Sequence, residues 1–181
     1  KGISWNDLFH DLEKISFNLH QLGFGKGDKM VIFSRNCMEM LLLHLTVMGM
    51  GGISVPIFAG FKKETAELLI RHSNARYLAV EGETQLGNIG VDLNLDHIIC
   101  LKNITDRRFP SMINFRDILQ SVSGSSSYMD KSLSPDLICL NMYTSGTMGI
   151  PKCVQLTHKN ILSQQAALCK VWSVNQDDRF L

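Results

Sequence analysis

Apolar and polar positions along this chain repeat with two different periods. From Trp5 onward, Leu8, Phe9, Leu12, Ile15, Leu19 and Leu22 recur every three or four residues, the spacing of one helical face. Ser4-Trp5-Asn6-Asp7 before them resembles a capping box with Asp in place of Glu. Gly23, Gly25 and Gly27 then stop the helix. They precede a strand instead of following one, so they read as a turn and not as a nucleotide loop. Met30-Val31-Ile32-Phe33-Ser34 is a short apolar strand. Asn36 with Glu39 predicts the next helix start. The stretch 38–50 is apolar on nearly every side, as in a helix buried in a larger protein. Its methionines, Met38, Met40, Met48 and Met50, read as core, with the lining of a fatty pocket as the alternative.

The alternation continues down the chain. Residues 53–58 form a strand in which Pro56 predicts an edge or a strand end. An amphipathic helix over 63–73, a strand over 77–80, a weak helix over 84–89, a strand over 97–101 and a short helix over 114–120 follow. Strands separated by helices predict an α/β fold: a mostly parallel sheet covered on both faces. Residues 121–134 are serine-rich and read as a mobile linker. Residues 137–140 are an apolar strand, 154–157 a returning strand, and 161–172 a helix with Thr157 or Asn160 near its start as cap. The expected organisation is an N-terminal α/β portion over 1–120, a linker over 121–135, and a strand–loop–strand–helix unit over 136–181, all within one domain.

Composition narrows the function. Hydrophobic residues make up 45% and charged ones 19%, which places the chain among globular domains. A net charge of +1 gives no electrostatic reason to expect nucleic acid as a partner. Five scattered cysteines (Cys37, Cys100, Cys139, Cys153 and Cys169), with no Cys-x-x-Cys pair and no histidine at metal-ligand spacing, read as reduced, buried thiols of a cytoplasmic protein. No stretch is long and apolar enough to read as a transmembrane segment.

The chemistry concentrates in the run Met142-Tyr143-Thr144-Ser145-Gly146-Thr147-Met148-Gly149-Ile150-Pro151-Lys152, directly after an apolar strand. Glycines let backbone amides approach an anion, hydroxyls donate hydrogen bonds, and lysine adds a point charge, a combination suited to polyphosphate. A Walker A loop fails, because Lys152 follows Pro151 and precedes Cys153. A dinucleotide fingerprint fails on glycine spacing. The run resembles instead the phosphate-loop signature of the adenylate-forming (AMP-binding) superfamily, which includes acyl-CoA synthetases, luciferases and nonribosomal peptide adenylation domains. Its usual form is Tyr-Thr-Ser-Gly-Thr-Thr-Gly-x-Pro-Lys-Gly, matched here at Tyr143, Thr144, Ser145, Gly146, Thr147, Gly149, Pro151 and Lys152. Thr157-His158-Lys159-Asn160 resembles a second segment of the family; His158 itself reads as a capping or packing residue before a catalytic base. Two positions depart: Met148 stands where Thr or Ser is usual, and Cys153 where Gly is usual. Each lost hydrogen bond to a charged group costs roughly 1.5–3 kcal/mol.

The resemblance implies ligation of a carboxylic acid, expected to be of the fatty type. ATP and acid give an acyl-adenylate and pyrophosphate, and CoA then takes the acyl group as a thioester. It implies ATP, Mg²⁺ and CoA as cofactors. Thr144, Ser145, Gly146, Thr147, Gly149 and Lys152 are expected to hold the phosphates, with Lys152 also the catalytic residue. The family's metal ligands, adenine and ribose contacts and C-terminal lysine lie beyond Leu181. The chain is therefore expected to be an N-terminal fragment, inactive alone, with peripheral membrane contact left to regions outside it. The alternatives are an adenylation domain loading a carrier protein, a non-catalytic relative with a decayed loop, and a self-contained flavodoxin-like anion-binding domain.

Overall fold

A computed structural model of the chain describes residues 2–106, 108–121, 127–144 and 151–172. Its elements, in order, are α1 (Trp5–Gln21), β1 (Lys29–Phe33), α2 (Met38–Gly49), β2 (Ile53–Ile57), α3 (Lys63–Ser73), β3 (Tyr77–Val80), α4 (Glu83–Gly87), β4 (His97–Cys100), β5 (Met112–Asn114), α5 (Phe115–Gln120), β6 (Ile138–Thr144), β7 (Lys152–Thr157) and α6 (His158–Trp172). The strands form one sheet in the order β5-β4-β3-β1-β2-β6-β7. All neighbours pair in parallel except β6 and β7, which are antiparallel.

The parallel strands are mostly apolar because both faces are covered. In β1, Val31 and Phe33 point to the side where α3 packs with Ala66, Leu69 and Ile70. Met30 and Ile32 point to the other side, under Leu12, Ile15 and Leu19 of α1 and Leu42, Leu43 and Val47 of α2. The first helix starts as its sequence predicts: the Asp7 amide donates to Ser4 Oγ at 3.1 Å. Its apolar stripe is buried only from Leu12 onward, however. Trp5 is 84% exposed and Phe9 is exposed too, so the first turn projects past the core.

Several expectations are corrected. Of the two readings Pro56 allowed, the edge is excluded, since β2 lies between β1 and β6, and the strand end holds: Pro56 is one residue before the end of β2. The cap of α2 is Cys37, one residue after Asn36, and makes no side-chain capping bond. Strand β5 was not foreseen: three half-buried residues carry too little pattern. Residues 127–134 of the serine-rich stretch are held, not loose. The Tyr128 ring stacks on His20 with centroids 3.7 Å apart, and the Tyr128 and Asp130 amides donate to Ser16 Oγ and the Gly49 carbonyl. α6 begins with a reciprocal cap in which Asn160 N donates to Thr157 Oγ1 while Thr157 N and Oγ1 donate to Asn160 Oδ1. None of its described side chains is buried.

The turn into β2 depends on one close approach. A Cβ on Gly52 would stand 2.6 Å from the Phe24 ring and 3.1 Å from the Asp28 carbonyl oxygen, a backbone atom that cannot step aside. Gly52→Ala should therefore cost about 1–3 kcal/mol. Gly82→Ala, where nothing lies within 4 Å, should stay within about 0.5 kcal/mol of the parent in urea unfolding. Equal midpoints for the two variants would refute this account.

Candidate functional site

The site is built on the carboxyl edge of the sheet. β6 runs parallel to β2, with Ser54 opposite Leu140, so its end at Thr144 emerges on the same edge as the ends of β1, β2, β3 and β4. Ligands of open α/β sheets bind along this edge. β7 returns antiparallel, and its first residue, Lys152, stands directly opposite Thr144. Directly opposed residues of an antiparallel pair project to the same face. The Thr144 hydroxyl and the Lys152 ammonium are thus side by side, both exposed, at the mouth of the hairpin. Ser145, Gly146, Thr147 and Gly149, and with them Met148, lie outside the described residues.

Alternation along the hairpin sorts its side chains into two sets. Met142, Thr144, Lys152 and Val154 share the face on which α2 packs. There Met142 joins Ser34, Arg35, Asn36, Met40 and Phe58 around a cavity of about 410 Å³. Asn141, Tyr143, Cys153 and Gln155 share the α3 face, around a second cavity of about 250 Å³ that also includes Lys29 and His72. The motif tyrosine therefore points away from the loop's cation. Its hydroxyl meets His72 Nδ1 at 2.8 Å and the Leu69 carbonyl at 3.4 Å, and burial, with Cys153 beside it, pushes its pKa up to about 12. Tyr143 anchors the strand to α3.

A group not picked out from the sequence stands on the same edge. Glu81, just past β3, is buried, with its side chain 4% exposed. Arg35, just past β1, donates from its backbone N at 3.0 Å, from Nε at 3.1 Å to both carboxylate oxygens, and from a terminal nitrogen at 2.6 Å. Lys102, just past β4, adds Nζ at 2.6 Å. The hydrogen bonds from Arg35 lead in holding the Glu81 carboxyl down to about 2, against the opposing effect of burial and with Lys102 assisting. The result is two largely exposed cations fixed by one buried carboxylate. The only trace in the sequence is a polar residue directly after each of three apolar runs, which becomes a cluster once the order β4-β3-β1 is known.

His158 opens α6, donates its backbone N–H to the Leu137 carbonyl, and has its Nε2 buried without a hydrogen-bond partner among the described residues. The five cysteines form no disulfide. Cys100 and Cys139 are buried, Cys37 and Cys153 are half-buried, and Cys169 is exposed, against the expectation that all were core. Among the described residues no three His, Cys, Asp or Glu side chains come together as a metal site, and no helix is long and apolar enough to cross a membrane.

The family model for AMP-binding enzymes matches residues 1–181. Fatty acyl-CoA synthetase A of Dictyostelium discoideum is 27% identical, covering 92% of this chain and 26% of its own length. 4-Coumarate–CoA ligase 1 of Arabidopsis thaliana is 26% identical, covering 90% of this chain and 30% of its own. The chain thus spans less than a third of these relatives. The crystal structure of a long-chain-fatty-acid–CoA ligase from Archaeoglobus fulgidus superposes with a TM-score of 0.83 over 97% of this chain and 34% of that one, at 19% identity, which is a likeness of fold.

The Glu81 cluster predicts acid sensitivity. Its folded carboxyl lies well below the ordinary 4.5, so its contribution is complete above about pH 4.5 and is lost as pH falls toward 2. Glu81→Gln should lower stability at pH 7 by about 1–2 kcal/mol, allowing for screening of the exposed partners. It should also flatten the fall in stability between pH 4.5 and 2 when thermal unfolding is followed across that window. An unchanged slope would count against the cluster.

Proposed function

Since the chain belongs to the family of AMP-binding enzymes, we propose that it forms the phosphate-gripping part of an acyl-CoA synthetase. That enzyme joins a carboxylic acid to ATP, releases pyrophosphate, and passes the acyl group from the adenylate to CoA. The observation that supports this reading best is the pairing of Thr144 with Lys152 across the hairpin mouth on the carboxyl edge of the sheet. A hydroxyl donor and an ammonium on one face, flanking a loop of glycines and hydroxyls, match the needs of a polyphosphate.

In the first step a carboxylate oxygen attacks the α-phosphorus, and the bond to pyrophosphate breaks as negative charge spreads over the phosphoryl oxygens. The contribution of this chain is positioning and charge stabilisation. Thr144 donates its hydroxyl proton to a phosphate oxygen, and Lys152 sets its charge against the departing pyrophosphate. Ser145 and Thr147 add hydroxyls, and the residues around Gly146 and Gly149 present backbone N–H groups. The Mg²⁺ that accompanies ATP is assigned to the phosphates, since the described side chains do not form a donor set for it; when bound it neutralises phosphate charge.

The acid is assigned to the fatty class. The Dictyostelium relative is named for fatty acids, and the cavity that Met142 lines brings Met40, Ile57 and Phe58 beside polar Ser34, Arg35 and Asn36. Turnover is assigned to the intact protein and not to these 181 residues. α6 buries none of its described side chains and leaves Leu162, Val171 and Trp172 exposed, as surfaces awaiting cover are.

ATP–pyrophosphate exchange tests the reading. In the intact protein, Lys152→Ala should cut carboxylate-dependent exchange about 10- to 100-fold, the worth of one charge-assisted contact. The far-ultraviolet spectrum should not change. Palmitate should support more exchange than 4-coumarate. Undiminished exchange in the variant would overturn the role of the loop, and a preference for coumarate would overturn the acid class.

A further inference from the structure

The α3 face of the hairpin carries a second constellation that phosphate binding does not use. Cys153 is directly opposite Tyr143 on the neighbouring strand, and the Tyr143 hydroxyl, 2.8 Å from His72 Nδ1, stands against the Cys153 side chain. The three groups line one cavity of about 250 Å³ together with Lys29 and Asn141. Lys29 spends one Nζ proton on the Ser73 carbonyl at 2.9 Å and keeps two donors. Asn141 is 3% exposed, and its Oδ1 is buried without a hydrogen-bond partner among the described residues. Such an acceptor is left for a water or a ligand's N–H to satisfy.

We propose that this cavity is a thiol-modification site in which Cys153 undergoes exchange with a small anionic peptide disulfide of the glutathione class. Each lining group meets one feature of such a molecule. The Lys29 ammonium faces a carboxylate, Asn141 Oδ1 accepts a peptide N–H, and Cys153 Sγ attacks a sulfur. In the exchange the ligand's S–S bond breaks as the Cys153–sulfur bond forms, and the other half departs as a thiolate with the electron pair. Cys153 gives up its proton to water as its sulfur attacks, and the departing thiolate takes up a proton from water. The protein thiol is oxidised, and one half of the reagent is reduced to a thiol.

This inference does not depend on the ligase reading, and its test reads a covalent adduct instead of turnover. The intact protein is incubated with glutathione disulfide, digested without reductant, and each cysteine's adduct is followed by mass spectrometry. Cys153 should be modified about tenfold faster than Cys169, although Cys169 is the exposed thiol. Lys29→Gln should slow the anionic glutathione disulfide several-fold and leave cystamine, a cationic disulfide, no slower. Modification of Cys153 no faster than that of Cys169 would overturn the proposal. Equal slowing of both reagents by Lys29→Gln would also overturn it, because recognition would then not reside in the cavity.

Discussion

The direction of β6 decides what this molecule can do. Because β6 enters the sheet parallel to β2, the motif loop is delivered to the carboxyl edge, beside the polar residues that close β1, β3 and β4. An antiparallel β6 would send the same residues to the opposite edge, away from Arg35, Glu81 and Lys102. The start of the strand is held by burial: Cys139, Leu140 and Asn141 are enclosed, while Met142 and Thr144 reach the surface. The strand is thus anchored at one end and exposed at the other.

A second constraint is the two-residue period of the hairpin. It places Thr144 and Lys152 on one face and Tyr143 and Cys153 on the other, so residues adjacent in sequence serve different surroundings. The α2 face is cationic and open. The α3 face is half-buried and holds a tyrosine whose hydroxyl is committed to His72 and Leu69. A run that looks like one motif in the sequence is, in space, two sites back to back. Arg35 and Lys102 extend the positive character of the edge, and Glu81 fixes where they stand without cancelling both charges.

Much of the fold was legible because its signals were long and local. The helix over Lys63–Ser73 and the strand over Tyr77–Val80 coincide with the expected bounds, since each pairs a clear period with a clear stop, Asn74 in the left-handed region ending the helix. What failed was decided by distant neighbours. Of the two readings Pro56 allowed, the strand end holds and the edge fails, because β6, some eighty residues later, pairs beside β2. Trp5 and Phe9 fit the helical stripe, yet nothing among the described residues covers them. The serine-rich stretch has the composition of a tether, but one tyrosine laid on His20 is enough to pin it. Of the candidate site, Thr144 and Lys152 could be chosen from the motif. The Arg35–Glu81–Lys102 cluster could not, because its members share no motif and meet only through strand order.

The two departures from the usual family motif therefore do not weigh equally. Glycine at position 153 would leave the α3 face of β7 empty, whereas cysteine puts a small polarisable group there, next to a cavity with room for it. Its side chain points away from the face shared by Thr144 and Lys152, so it takes no donor from the proposed phosphate grip. A loop decaying through lack of use would be expected to lose its cation or its paired hydroxyl first, as these are the exposed groups with no packing role to retain them. Both remain, paired on one face of the hairpin. Cys153 sits on the other face, where a tyrosine, a histidine, a lysine and Asn141 Oδ1, unpartnered among the described residues, already surround it. Met148, the other departure, removes a hydroxyl from the loop itself, so Cys153 alone carries the case for a second property.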